Sequence, residues 1–131
     1  MRFARVVYGV AAAYGFLSLL PLYFLLGKLG QTAPPPVTHP EFYYGFVGLA
    51  LSWQLVFVLI ARDPMRYRPI MPISILEKLV YAVPVLILYS LGKAHPSILG
   101  PALIDPLLGL LFVIAYVKTR GPQPKGRQAS L

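Results

Sequence analysis

Of the four carboxylates in this 131-residue chain, two, Glu77 and Asp105, stand inside long apolar runs. A charged group surrounded by hydrocarbon is costly, so such residues face a bundle interior or a cavity and are candidates for function. Glu77 falls on one helical face with Ser74, Tyr81, Pro84 and Leu88, which predicts an inward stripe. Gln54 lies in a second run at a similar depth, so a Glu77–Gln54 hydrogen bond is the expected contact. That bond either satisfies the carboxylate or forms part of a proton or ligand site. Asp105 immediately precedes Pro106 and follows Gly100-Pro101. Proline pushes the residue before it out of helical geometry. Two readings follow. The helix is kinked, with Asp105 facing the bundle and bonded to a tyrosine or serine. Or it is broken, with Asp105 capping a second half. Asp105, Glu77, Gln54 and Tyr81 are the candidate ligand-binding residues. Lys78 has a simpler reading: its side chain leans toward the helix N-terminus and snorkels to the interface.

Outside the apolar runs, His39, Glu41 and His95 are the remaining groups with metal-ligand chemistry. Their spacing is neither short nor rigid, and each histidine is followed by proline, so no metal site is expected. A His39–Glu41 pair at a helix start is the better reading, because acids favour that end of the helix dipole. The chain has no cysteine, which excludes disulfides and thiolate sites. No nucleophile–base arrangement and no glycine-rich phosphate loop is recognisable. No catalytic residue is assigned and no cofactor is expected.

The elements that must position these groups are four apolar runs, at residues 6–27, 42–61, 72–92 and 98–117. Each has about the length that crosses the roughly 30 Å core of a bilayer as a helix. Lipid offers a backbone no hydrogen-bond partners, so these runs are helices. Only 12% of the chain is charged, about half the share of a soluble domain. The joints are short, which forces neighbouring helices antiparallel. The expected fold is therefore all-α: an up-down-up-down bundle of four transmembrane helices over residues 1–118. The basic stretch 119–131 has too little apolar content to fold and is expected to be a disordered tail. The first run is too long for a signal-peptide core, so an uncleaved anchor is expected.

Finer features of the joints and helices also carry expectations. Pro34-Pro35-Pro36 favours an extended polyproline run. Asp63-Pro64 looks like the N-cap and first residue of the third helix. Pro21 and Pro84 free the carbonyls of Leu17 and Val80 and imply kinks. Small residues line up on the first helix (Tyr8, Ala12, Gly15, Leu19) and on the second (Glu41, Gly45, Gly48, Ser52). Such stripes let helices approach closely, within the bundle or between copies.

The net charge of +8 is unevenly distributed. Arg2, Arg5, Arg62, Arg66, Arg68, Lys118, Arg120, Lys125 and Arg127 fall at one end of the bundle, against Lys28 and Lys93 at the other. Basic residues stay cytoplasmic, so both termini and the middle joint are expected inside. Arg62, Arg66 and Arg68 are candidate contacts for anionic lipid headgroups. A nucleic-acid partner is not expected, since there is no recognition fold and no room for one.

The run Thr38-His39-Pro40-Glu41-Phe42-Tyr43-Tyr44-Gly45-Phe46, with Trp53-Gln54, Ala61-Arg62-Asp63-Pro64 and Arg66-Tyr67-Arg68-Pro69, resembles a group of small bacterial four-span membrane proteins. Leu76-Glu77-Lys78-Leu79 and Ala102-Leu103-Ile104-Asp105 extend the resemblance over most of the chain. It implies a multi-pass protein of the bacterial inner membrane and brings no activity with it. The general architecture is also similar to the DoxX-like and emopamil-binding-like families, whose motifs do not align here. The functional expectation is a small polytopic protein that binds a lipophilic ligand or a membrane protein partner, including a second copy of itself. The alternatives are a lipid-modifying, isomerase-like membrane enzyme or an accessory subunit of a membrane complex.

Overall fold

The computed structural model describes residues 2–120. Among these are five α-helices: α1 (Arg2–Leu19), α2 (Leu26–Thr32), α3 (Pro40–Arg62), α4 (Met71–Ser90) and α5 (Leu99–Lys118). Short 3-10 turns extend three of them. Four stretches are long and apolar enough to cross a membrane: Arg2–Phe24, Pro40–Arg62, Arg68–Ser90 and Pro96–Lys118, each of 23 residues. At 1.5 Å per residue each reaches about 35 Å, enough to cross a bilayer's hydrocarbon core with some tilt. They are called here the first to fourth spans. The tail expectation falls largely on residues 121–131, outside the described residues.

The four spans form an all-α bundle. The first span packs along the second and the fourth, and the fourth packs along the third. The second and third spans barely touch. The ring of helices is thus closed on three sides and loose on the fourth. Large apolar side chains such as Leu17, Phe24, Phe42, Leu49 and Leu103 point outward and are mostly exposed. A water-soluble domain hides such a surface; a membrane helix presents it to lipid.

The core is narrow and aromatic. Tyr8, Phe57 and Phe112 are fully buried, one from each of three spans. Tyr8 stacks on Phe112 with ring centroids 4.1 Å apart, and Phe112 meets Phe57 edge-on at 5.2 Å. Small residues let these rings interlock: Ala4, Ala11, Ala12 and Ala115 surround them, all buried. One polar bond crosses the layer. Ser74 donates to the Met71 carbonyl at 2.6 Å, which leaves its oxygen to accept from the Tyr8 hydroxyl at 2.7 Å.

The start of the first span and the end of the fourth meet at one end of the bundle. Lys118 lies 4.4 Å over the Phe3 ring. Arg68 lies 3.9 Å over the Tyr116 ring, donates to the Tyr116 carbonyl and donates to the Thr119 hydroxyl, both at 3.2 Å. The last carbonyls of a helix have no partner within it, and Arg68 supplies one. This end is called the basic end; the other is the loop end.

Several local expectations change. Residues 33–35 bend, the Pro34–Pro35 bond is cis, and α2 occupies part of the long first joint. Asp63 does not start the third span. It caps a turn instead, its Oδ1 accepting from the Arg66 amide at 3.2 Å, while Pro72 takes the proline position at the start of α4. Pro21 converts the end of the first span to a 3-10 turn, Leu20–Phe24. Its Leu22 carbonyl is taken up by the Tyr43 hydroxyl at 2.6 Å. The fourth span is not broken: α5 runs from Leu99 through Asp105-Pro106 to Lys118. One proline costs a single backbone bond, and neighbouring helices hold the rest in register.

Candidate functional site

The inward face of the third span is not the stripe through Pro84 and Leu88, both of which are exposed. The buried residues of α4 are Met71, Ser74, Lys78 and Ala82. Glu77 and Tyr81 flank that line and are partly buried. This rotation puts Lys78 inside. It is 4% exposed and does not snorkel. Its ammonium lies 3.6 Å from a Glu77 oxygen and 3.6 Å from an Asp105 oxygen. It also sits 5.0 Å over the Phe57 ring. Gly109 of the fourth span faces the Lys78 stem, and a Cβ there would be 3.5 Å from that of Lys78.

The physical reason is a balance of costs. An ionised side chain at mid-membrane costs about 2.5–3.5 kcal/mol on insertion scales. Two carboxylates at the same depth offer the ammonium partners that the water outside can match only if the lysine stem stretches away from them. An aromatic face beneath adds an attraction of about 0.5–2 kcal/mol. Asp105 therefore pairs with a lysine, not with the tyrosine or serine expected of it. Adjacent residues on a helix point about 100° apart. The long Lys78 stem nevertheless curls back to within reach of its neighbour Glu77.

Above this trio is a partly open cavity of about 180 Å³. Every span contributes to it: Tyr14 and Gly15 from the first, Phe46 and Gln54 from the second, Glu77, Lys78 and Tyr81 from the third, and Asp105 from the fourth. All four candidate ligand-binding residues, Asp105, Glu77, Gln54 and Tyr81, therefore line one space. The Tyr8–Phe57–Phe112 layer lies on its basic-end side. Phe46 and Tyr81 stack with centroids 5.7 Å apart, across the gap between the second and third spans. Chemically, the site is an apolar chamber with an ion cluster on one wall. In comparisons with known proteins no family, no curated sequence and no solved structure matches the chain.

The Glu77–Gln54 hydrogen bond is absent. Gln54 is buried, and its amide nitrogen donates to the Ala50 carbonyl at 2.9 Å, one turn back on its own helix. Its Oε1 has no hydrogen-bond partner, nor has Glu77 Oε2. Lys78 approaches that Glu77 oxygen as an ion but stays outside hydrogen-bond reach. Both orphan acceptors belong to residues that line the cavity. Buried polar atoms are normally partnered, and an exception calls for an explanation. Gly15 is why Gln54 fits at all: any Cβ at this position would collide with the Gln54 carboxamide.

Lys78, expected at the interface, and Gly15, expected only in a packing stripe, both line the cavity. The signal for Lys78 was present in Ser74, Lys78 and Ala82, spaced at four-residue steps with two small members. Small residues mark close helix contacts in membranes. On the first span, Tyr8, Ala12 and Gly15 are buried as the stripe predicted. On the second, Glu41, Gly45 and Ser52 are exposed, and the buried line is Val47, Gln54, Phe57 and Ile60. The joints hold no further chemistry. His39 and Glu41 pair at 3.2 Å in the open, and His95 accepts from the Ser97 amide at 3.2 Å. Arg62 and Arg66 are exposed, as headgroup contacts must be, whereas Arg68 is committed to the end of the fourth span.

Proposed function

We propose that this chain is a multi-pass protein of the bacterial inner membrane that binds an amphiphilic ligand in the chamber above Lys78. The observation that carries the reading is an ion cluster on the wall of one cavity in an otherwise apolar bundle, beside Gln54 Oε1, which has no partner, and Glu77 Oε2, which meets only the Lys78 ammonium at 3.6 Å. A purely structural ion cluster gains nothing from such a void, and leaving a buried acceptor such as Gln54 Oε1 unmet costs about 1–3 kcal/mol. A ligand that supplies donors removes that cost. The basic end sits in the cytoplasm, by the charge asymmetry. There Arg62 and Arg66 meet anionic headgroups, at about 1 kcal/mol per residue.

The test is extraction of the full chain with its native lipids, followed by native mass spectrometry. The wild type retains a defined small molecule, and Asp105→Asn loses it. Thermal unfolding of Asp105→Asn stays close to wild type, because Lys78 keeps Glu77 as its partner. Wild-type protein that carries only bulk lipid overturns the reading. A second reading is a lipid-modifying enzyme with Asp105 or Glu77 as general acid or base. It is favoured by two carboxylates on one cavity wall, the parts a proton relay needs. Chemical change in the retained molecule on incubation distinguishes it from simple binding.

A further inference from the structure

Resting on the ligand-binding reading above, we infer that the ligand's head is a primary ammonium: the site is built for a long-chain alkylamine whose tail leaves between the second and third spans. Three independent features lead there. The first is charge. With both carboxylates ionised, Glu77 and Asp105 bring two negative charges against the single positive charge of Lys78. No other described residue lining the cavity carries a charge. In that state the wall is short of one cation, and in a medium of low dielectric such a deficit is felt strongly.

The second feature is hydrogen bonding. Gln54 Oε1, which has no partner, and Glu77 Oε2, 3.6 Å from the Lys78 ammonium, are both acceptors. They call for a head rich in N–H donors. A primary ammonium has three and is charged. A quaternary ammonium has the charge but no donor. An alcohol has one donor and no charge. A carboxylate or phosphate has neither, and finds its only nearby cation, Lys78, already held by two carboxylates.

The third feature is the exit. The chamber, about 180 Å³, holds a head and the first part of a chain but not a whole lipid tail. Among the packed neighbours in the ring, the second and third spans have the least contact. Phe46 and Tyr81 form an aromatic stack in that gap. An alkyl chain that slips past these rings reaches lipid without crossing a packed interface.

The same head occurs on a free amine and on an ethanolamine phospholipid. The experiment separates the two. Full-length protein in nanodiscs of pure phosphatidylcholine is titrated with dodecylamine, dodecyltrimethylammonium, dodecanol and dodecanoate. Binding is read by native mass spectrometry and by thermal shift. The expected order puts dodecylamine first, with an advantage of about tenfold or more over each of the others, the scale of one charge-assisted hydrogen bond. Glu77→Gln, which keeps the shape and removes the charge, reduces that advantage about tenfold. Gln54→Leu gives a second, independent reduction if Glu77→Gln proves unstable. Discs containing phosphatidylethanolamine that retain this lipid selectively assign the head to a phospholipid; discs that do not assign it to a free amine. Saturable binding that ignores the head, or favours dodecanoate, overturns the inference while leaving a ligand site in place. No saturable binding by any of the four overturns both.

Discussion

Lys78 shows how a single side chain can organise a membrane bundle. It joins the third span to the fourth through Asp105 and touches the second through Phe57. Removing one partner of a buried ion cluster is far worse than removing the cluster, because the remaining charges are left without compensation. Lys78→Met leaves two carboxylates facing each other across an apolar site and is expected to cost about 3–5 kcal/mol. Unfolding in mixed micelles measures it. The triple variant Lys78→Met/Glu77→Gln/Asp105→Asn regains most of that loss, since no net charge remains buried. A triple variant no more stable than Lys78→Met would show that the cluster acts through packing and not through charge. Gly15 works by the opposite means, through absence. With no side chain it leaves room for the carboxamide of Gln54, a residue that lines the same chamber as the ions.

At the level of elements, the fourth span depends on a cap from another helix. Arg68 donates to Tyr116 and Thr119 and covers the Tyr116 ring. Lysine has the charge but not the planar fork, so Arg68→Lys is not conservative here. Both Arg68→Ala and Arg68→Lys are expected to speed hydrogen exchange at the amides of Tyr116 to Thr119, with a loss of about 1–2 kcal/mol. Exchange unchanged in both variants would remove Arg68 from this role. The elements themselves were legible in the sequence. Four apolar runs of bilayer length and short joints between them leave a helical bundle as the only arrangement that satisfies the backbone. Their ends and faces were less so. Asp63-Pro64 carries the stronger local start signal, a cap residue before proline, and only packing decides that the helix begins at Met71-Pro72. The inward face of the third span lies one residue from the stripe that polarity predicts, because Lys78 finds two carboxylates inside and does not seek water. Periodicity cannot show that two carboxylates wait at the depth of Lys78; that follows from how the third span packs on the fourth.

For the whole molecule, the ring of spans, closed on three sides and loose between the second and third, sets what can reach the chamber. The proposed orientation of that ring rests on seven of the ten described basic residues lying at one end. The chain contains no cysteine, so a single introduced thiol reports its own side without background. In intact cells an impermeant maleimide is expected to label Gln31→Cys and Lys93→Cys but to leave Arg66→Cys untouched until the membrane is opened. The reverse pattern would invert the bundle. One further consequence belongs to bioenergetics. An acid–base relay in a membrane is a hazard to the proton gradient if it connects the two surfaces. Here the interlocked rings of Tyr8, Phe57 and Phe112 stand between the ion cluster and the basic end. The single hydroxyl pair among them, Tyr8 and Ser74, terminates on the Met71 carbonyl, which cannot pass a proton on. In the membrane setting proposed above, that layer leaves the ion cluster without a hydrogen-bonded chain to the basic end among the described residues.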